Sequence, residues 1–494
     1  MNISKLSLCM LVAGLIGLTA CERYEEINLN PNEPTSVQPG VLMTSAIRNS
    51  MNTMVNESFL LGNNAGQLTA KTLRNEIDVY NWNAFPTVWE GLYGSLTDVK
   101  QVEELAVAAG NEQLEGAALT LRTWIFATLT NVYGDIPYTE AIQGDSANLT
   151  PAYDTQEAIY ADMLATLERA TTLLQGEGAI SGDILLGNDA GKWLRFTNSL
   201  RLRLLMTANR KLPNASTDFA AIVSEGNIMQ SNDDNAVLTY LNAVPNEFPL
   251  IPLKQGDFDA VALSTTALSV MEPTADPRLA RFARPDDTDY TTFGEATFDG
   301  AENGAGTCDK AGSRLGAQYW QDPSETLEGY AGPSMGDGIA MTYAEVEFLL
   351  AEAAALGWIE ADPETHYRAG IEASMAYYQV DVAPFGWSSF DDFYDNSGVA
   401  YDAVTDIWEQ KWLALFFTGL EPYFEVRRWY LEGGKGWESI PFMDAACDNV
   451  NDDRLPMRFL YPGQEQSLNA ANYQEAISRI GGSNDLNADM WLTE

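Results

Sequence analysis

The sequence predicts a mostly α-helical protein whose helical hairpins resemble tetratricopeptide stacking, with a loop-rich segment packed on them and only minor short strands. Three observations predict it. Apolar residues recur every three to four positions through much of the chain, the period of a helix with one buried face. These stripes begin at capping residues and stop at Gly or at Gly followed by Pro. Residues 213–340, by contrast, lose the period and are rich in Asn, Asp, Gly and Pro.

Residues 1–20 (MNISKLSLCMLVAGLIGLTA) place Lys5 ahead of an apolar run that is short for a membrane span. That is the pattern of a secretory signal. The run closes on Leu18-Thr19-Ala20-Cys21, which resembles the lipobox of bacterial lipoproteins, so Cys21 is the expected acylated first residue of the mature chain. Several acyl chains make a stable anchor, because each buried CH₂ contributes about 0.8 kcal/mol. Glu22, Glu25 and Glu26 follow, a cluster similar to a surface-export signal and equally readable as a polar tether. Residues 21–40 carry Pro31, Pro34 and Pro39 and read as an extended tether.

Beyond the tether the helices follow in order. Leu114, Ala118, Leu121, Trp124, Thr128 and Val132 form one stripe, which stops at Gly134-Asp135-Ile136-Pro137. Asp154 is the expected head of a second, with Ile159, Met163, Leu167 and Ala170 on one face. Within 213–340, Ala236 to Tyr240 is a candidate short strand. Thr342 and Glu345 have capping-box spacing ahead of Ala344, Phe348, Ala351 and Ala355, and Gly357 ends that helix. Asp362-Pro363 starts its partner, through Tyr367, Ile371, Ser374 and Tyr378. A last stripe runs Val404, Ile407, Trp408, Lys411, Trp412 and Leu415.

Composition narrows the function. In 494 residues, 28 Lys and Arg stand against 70 Asp and Glu, a net charge of −42. Nucleic acid is excluded as a partner, since binding phosphate backbones needs clustered cations. His366 is the only histidine, so multi-histidine metal sites are excluded and any Ser-His-Asp chemistry would depend on that residue alone. Asn232 to Asn235 and Asp257 to Asp259 lack the glycine and terminal glutamate of a full Ca²⁺ loop, and no metal or cofactor is expected. Of the four cysteines, Cys308 and Cys447 lie in the mature body and form a candidate disulfide in an oxidising compartment.

Several stretches then resemble one family, the SusD/RagB-like nutrient-binding outer-membrane lipoproteins, in the SusD-like subgroup. They are Asn28-Leu29-Asn30-Pro31-Asn32, Trp89-Glu90-Gly91-Leu92-Tyr93, Tyr133-Gly134-Asp135-Ile136-Pro137-Tyr138, and Trp193-Leu194-Arg195-Phe196 through Arg203. Met341-Thr342-Tyr343-Ala344-Glu345-Val346, Glu409-Gln410-Lys411-Trp412, Glu425-x-Arg427-Arg428 and Arg454 through Tyr461-Pro462 complete them in order. The resemblance implies about four helical hairpins in one domain over 41–494, with the loop-rich insertion around 213–340. It also implies a surface-exposed lipoprotein that captures an oligosaccharide or a peptide, performs no chemistry, and delivers the ligand to a SusC-like TonB-dependent transporter. Glu345, Glu409, Lys411, Arg427 and Arg428 read as partners across helix contacts, which fix register.

Sugar rings lie with their C–H faces on aromatic rings while amides and carboxylates take the hydroxyls. Two stretches off the helical stripes have that character: Tyr80-Asn81-Trp82-Asn83, and Tyr319-Trp320 with Tyr330. These seven residues are the candidate ligand contacts, with Phe258 and Phe298 as weaker ones. Trp124, Trp193, Trp408 and Trp412 lie on stripes and read as core. Two alternatives stay open: a glycoside hydrolase, since so acidic a chain always contains some suitable carboxylate pair, and a tetratricopeptide scaffold lipoprotein that binds no small molecule.

Overall fold

The computed structural model describes residues 37–143, 148–241, 243–286, 296–319 and 336–494. Helix α1 (Pro39–Glu57) starts on a proline, whose missing N–H costs nothing in a first turn. It buries Leu42, Met43, Ala46, Ile47, Met51, Met54 and Val55 against α2 (Pro86–Ala109). At Gly91 the helices meet closely, where a Cβ would come within 2.6 Å of the Thr53 hydroxyl. Gly110 ends α2 at φ 64°, and Asn111 at once caps α3 (Glu112–Tyr133), accepting from the Leu114 N–H at 3.2 Å. So short a connection makes α2 and α3 antiparallel.

Helix α3 is buried almost all round from Leu114 to Tyr133 because α2, α4 (Gln156–Leu173) and α5 (Ala190–Thr207) surround it. Helix α6 (Ala215–Glu225) packs on α5. Then come α7 (Tyr343–Ala355) and α8 (Pro363–Tyr378), in contact where a Cβ on Gly370 would meet the Phe348 ring at 2.9 Å. The pairs α1/α2, α3/α4, α5/α6 and α7/α8 stack in the tetratricopeptide manner, each burying a face that it could not bury alone. Helices α9 (Val404–Ala414), α10 (Glu421–Glu432) and α11 (Ala470–Arg479) follow, with α9 on α7 and α8. The mostly helical class stands.

The strands are short and stitch the insertion to the frame. β1 (Thr69–Lys71) pairs antiparallel with β5 (Val261–Leu263), β2 (Ile136–Pro137) with β3 (Tyr153–Asp154), and β4 (Ala236–Thr239) with β6 (Asp337–Met341). Phe248, Leu250, Phe258, Leu263 and Phe282 of the insertion belong to the same hydrophobic cluster as α1, α3 and α10.

Some caps differ from the sequence reading. Thr155, not Asp154, caps α4, accepting from the Ala158 N–H. The Asp154 carboxylate instead takes the Tyr138 and Thr139 N–H groups at 3.2 and 2.8 Å and holds the β2–β3 ribbon. Thr342 caps α7, but the Glu345 carboxylate turns away to receive Arg203 Nε and Nη2, both at 2.6 Å. Asp362 accepts from the Thr365 hydroxyl rather than from a helix N–H.

That Arg203–Glu345 pair opens a buried charge network. Arg203 also reaches Glu421 at 3.3 Å, while Arg428 holds Glu352 and Glu425 at 2.7 Å and Lys411 lies 3.1 Å from Glu425. Burial works to raise the Glu425 pKa, yet Arg428 and Lys411 outweigh it and hold the carboxyl at about 2. Among the described residues Glu409 has only Gln410 as hydrogen-bond partner, and burial pushes it up to about 7. Arg427 donates to the Asn131 and Met457 carbonyls, both at 2.8 Å, rather than to a carboxylate. His366 Nδ1 lies 2.7 Å from the Glu347 carboxylate, which pairs this histidine across the α7/α8 hairpin.

Candidate ligand-binding face

Tyr80 closes a turn at φ 58°, and the four side chains from Tyr80 to Asn83 alternate between core and solvent. The two amides, Asn81 and Asn83, face solvent. The two rings go inward: Tyr80 is 2% exposed and Trp82 4%. Trp82 Nε1 donates to the Ile77 carbonyl at 2.9 Å, and its ring packs against Tyr423 and Phe459 at 5.4 and 5.3 Å between centroids. Burying two large rings against other aromatics outweighs leaving them as a platform in water. The expected surface role of Tyr80 and Trp82 is corrected accordingly. Tyr319 is also buried, stacked on Phe417 at 3.9 Å, in an aromatic cluster with Phe248 and Phe416. Phe258 and Phe298 are core residues, as are Trp124, Trp193, Trp408 and Trp412. Cys21, Trp320 and Tyr330 lie outside the described residues.

What the fold does bring together is three loops, 72–85, 299–316 and 434–454. Cys308 and Cys447 are joined as a disulfide across 139 residues. The Cys447 N–H donates to Asn303 O at 2.8 Å, Asn75 Nδ2 to Gly304 O at 2.9 Å, and the Val450 N–H to Val79 O at 3.0 Å. Gly304 is required at this junction, since a Cβ there would collide with Cys308 Sγ and the Cys447 carbonyl. The Thr307 hydroxyl and N–H both bind Asp448, holding that exposed carboxyl below its ordinary pKa. Arg74, Tyr80, Lys435, Asp448, Asp452 and Asp453 all have positive φ. Such conformations persist only where the surroundings over-determine them, and they gather at functional surfaces.

Trp437 stands in this face. Its half-buried ring stacks on Tyr80, 6.3 Å between centroids and 6° between planes, with Tyr430 edge-on at 5.2 Å. Its Nε1 donates to the Asp453 carbonyl at 2.6 Å. The Tyr80 and Trp82 rings thus back a surface tryptophan that they fix in place. The same loops carry Asn451, reciprocally bonded to Asn487 of the C-terminal segment, an Asp452–Arg454 pair, and two exposed apolar side chains, Leu73 (64%) and Val450 (63%). A fixed indole beside amides and carboxylates is the chemistry of hydroxyl-rich ligands. Sequence reasoning missed Trp437; its signal is the run Gly433-Gly434-Lys435-Gly436-Trp437, a glycine-rich turn that puts an aromatic off any stripe.

Beneath the face lie buried ionisable groups. Desolvation raises Glu57 to about 7 against the Thr87 hydroxyl bond and the charge of Lys71. Asp78, which accepts the Lys71 N–H at 2.7 Å and lies 3.5 Å from Lys310 Nζ, is likewise raised by burial to about 7. Burial lowers Lys71 to about 8, and its ammonium sits 5.3 Å from the Phe59 ring centroid. Glu302 approaches Cys308 and Cys447, but sulfurs spent in a disulfide make no metal site. Asp234 is paired with Arg195 at 2.8 Å and Asp259 with Arg314 at 2.6 Å, so both acidic runs serve the structure.

Comparison with known proteins agrees with this architecture. The family model described as starch-binding and associating with the outer membrane matches residues 31–462. A SusD homologue from Bacteroides fragilis superposes with a TM-score of 0.76 at 24% identity, covering 93% of this chain and 100% of the other. A Bacteroides vulgatus protein, provisionally described as an outer-membrane protein involved in nutrient binding, gives the same TM-score and coverages at 26% identity. A chitin-binding SusD homologue from Flavobacterium johnsoniae gives 0.72 at 21%, covering 92% and 98%. No curated protein sequence matches. With its family model running through most of its length and its helical frame shared, the chain belongs to the SusD-like family of outer-membrane-associated nutrient-binding proteins.

Proposed function

We propose that this chain is a surface-exposed lipoprotein, anchored through Cys21, that captures a nutrient oligosaccharide and delivers it uncut to a SusC-like TonB-dependent transporter. The observation that carries the reading is the family match over residues 31–462. The lipobox-like Leu18 to Cys21 supports the anchor, and no helix among the described residues is long and apolar enough to cross a membrane. The starch-binding description of the family and the chitin-binding relative make α- and β-linked glucan-type oligosaccharides the first probes.

The proposed contacts are Trp437 as platform, with Asn81, Asn83, Asn451 and Asp452 for hydroxyls, together with Trp320 and Tyr330. Tyr80 and Trp82 serve from behind, by holding Trp437. Capture rather than cleavage is favoured by where the raised carboxyls stand. Glu57 and Asp78 are buried, while the half-buried Glu409, Glu421 and Asp337 are each held by a neighbour: Gln410 Nε2 at 3.3 Å, Arg203 at 3.3 Å and the Tyr377 hydroxyl at 3.1 Å. Asp286 accepts from the Ser313 hydroxyl at 3.0 Å, and burial, with the charge of neighbouring Asp299, raises it. A glycan array followed by calorimetry tests the assignment: Trp437→Ala is expected to weaken the best oligosaccharide about tenfold, about 1.4 kcal/mol, with the fold intact. Unchanged affinity in Trp437→Ala removes the platform.

A further inference from the structure

A cavity of about 210 Å³ shares no lining residue with the Trp437 face. Arg48 and Asn52, one turn apart on α1, form one side. The other comes from the end of β4 and the turn after it, where the Leu241 N–H donates to Asn246 O at 2.8 Å and so presents Asn246 and Glu247 to the helix. Tyr240 joins the sides, its hydroxyl donating to Asn52 Oδ1 at 2.8 Å. Ile184, Leu238 and Pro245 supply an apolar wall.

The polar groups are uncommitted. Among the described residues the side chains of Arg48, Asn246 and Glu247 make no hydrogen bond or ion pair, and Asn52 keeps its amide donors free. A guanidinium and a carboxylate that line one cavity would ordinarily close on each other in a charge-assisted pair. Here each leaves its bonding directions open, and together they carry no net charge. The space is smaller than the roughly 300 Å³ at which pockets for larger organic ligands begin, and it suits a single ring. Donors, acceptors, neutrality and an apolar wall match one kind of occupant: a neutral ring with hydroxyls on its rim and C–H groups on its face.

We propose that this cavity binds one neutral monosaccharide unit, a second saccharide site independent of the Trp437 face. The test is saturation-transfer NMR on the mature chain with glucose, N-acetylglucosamine and, as a zwitterionic control, leucine. Transfer to at least one sugar is expected in the wild type and in Trp437→Ala, and at least a fivefold loss when Arg48→Met or Glu247→Gln is added to Trp437→Ala. Both side chains are partly exposed, so unchanged thermal melts should show that the variants remain folded. The proposal is overturned if neither sugar receives transfer in the wild type, if both variants keep it, or if leucine alone binds. Loss in Trp437→Ala with retention in Arg48→Met would assign the signal to the other face and overturn it equally.

Discussion

Removing the disulfide puts a number on how firmly the candidate ligand face is held. Cys308 and Cys447 close a loop of 139 residues, which joins the insertion to the loop carrying Trp437. For a loop this long the chain-entropy relation gives about 17 cal/mol/K, or about 5 kcal/mol at 25 °C, taken from the unfolded state. Native disulfides measured by removal contribute about 2–5 kcal/mol. The perturbation is the double substitution Cys308→Ser, Cys447→Ser, read by tryptophan fluorescence through a urea titration without reductant. The unfolding midpoint is expected to fall by the equivalent of 2–5 kcal/mol, and the slope with urea to steepen, because an uncrosslinked unfolded chain exposes more surface. A loss below about 1 kcal/mol, with the slope unchanged, would refute the argument that the cross-link constrains these loops.

Glu57 predicts a pH dependence. Burial raises it from 4.5 to about 7, so the native state keeps a proton that the unfolded state releases, and stability falls as pH rises from about 4.5 to 7. Glu57→Gln is expected to gain up to about 3 kcal/mol relative to wild type at pH 8 and little at pH 4; an equal difference at both pH values, measured by urea unfolding, contradicts it. Arg203 predicts the opposite sense. Arg203→Met leaves Glu345 and Glu421 buried without their cation, and a loss of about 3–5 kcal/mol is expected in the same titration. Retention of wild-type stability would show that the pair is dispensable. Cys21→Ser is expected to abolish palmitate incorporation in cells and release the protein from membranes; labelling that persists rejects position 21 as the anchor.

The frame was legible because helices announce themselves locally. The stripe from Leu114, the Thr342 cap, the Gly357 stop and the Pro363 start are each set by neighbours within four residues, and each lies where the sequence placed it. Choices between adjacent cap residues were less legible: Asp154 and Thr155 are both good caps, and the β2–β3 ribbon takes the carboxylate first. Within the 72–85 loop the sequence placed Tyr80 and Trp82 outward, and the structure turns both inward. Interleaved rings and amides at 80–83 mark a two-sided segment, and nothing local says which side meets the core. That is decided by Tyr423 and Phe459, more than 300 residues later, which supply the aromatic wall that Trp82 enters. Trp437 was hidden for the same reason, since its stacking partner Tyr80 lies far away in sequence.

The most direct test is to titrate the purified mature protein with glucan- and chitin-type oligosaccharides in a calorimeter and then recover the ligand for chromatography. The account predicts a saturable heat of binding for at least one of them, with every recovered chain at its starting length. Shortened chains accumulating with enzyme-like turnover, or no binding heat across the whole series, would contradict it.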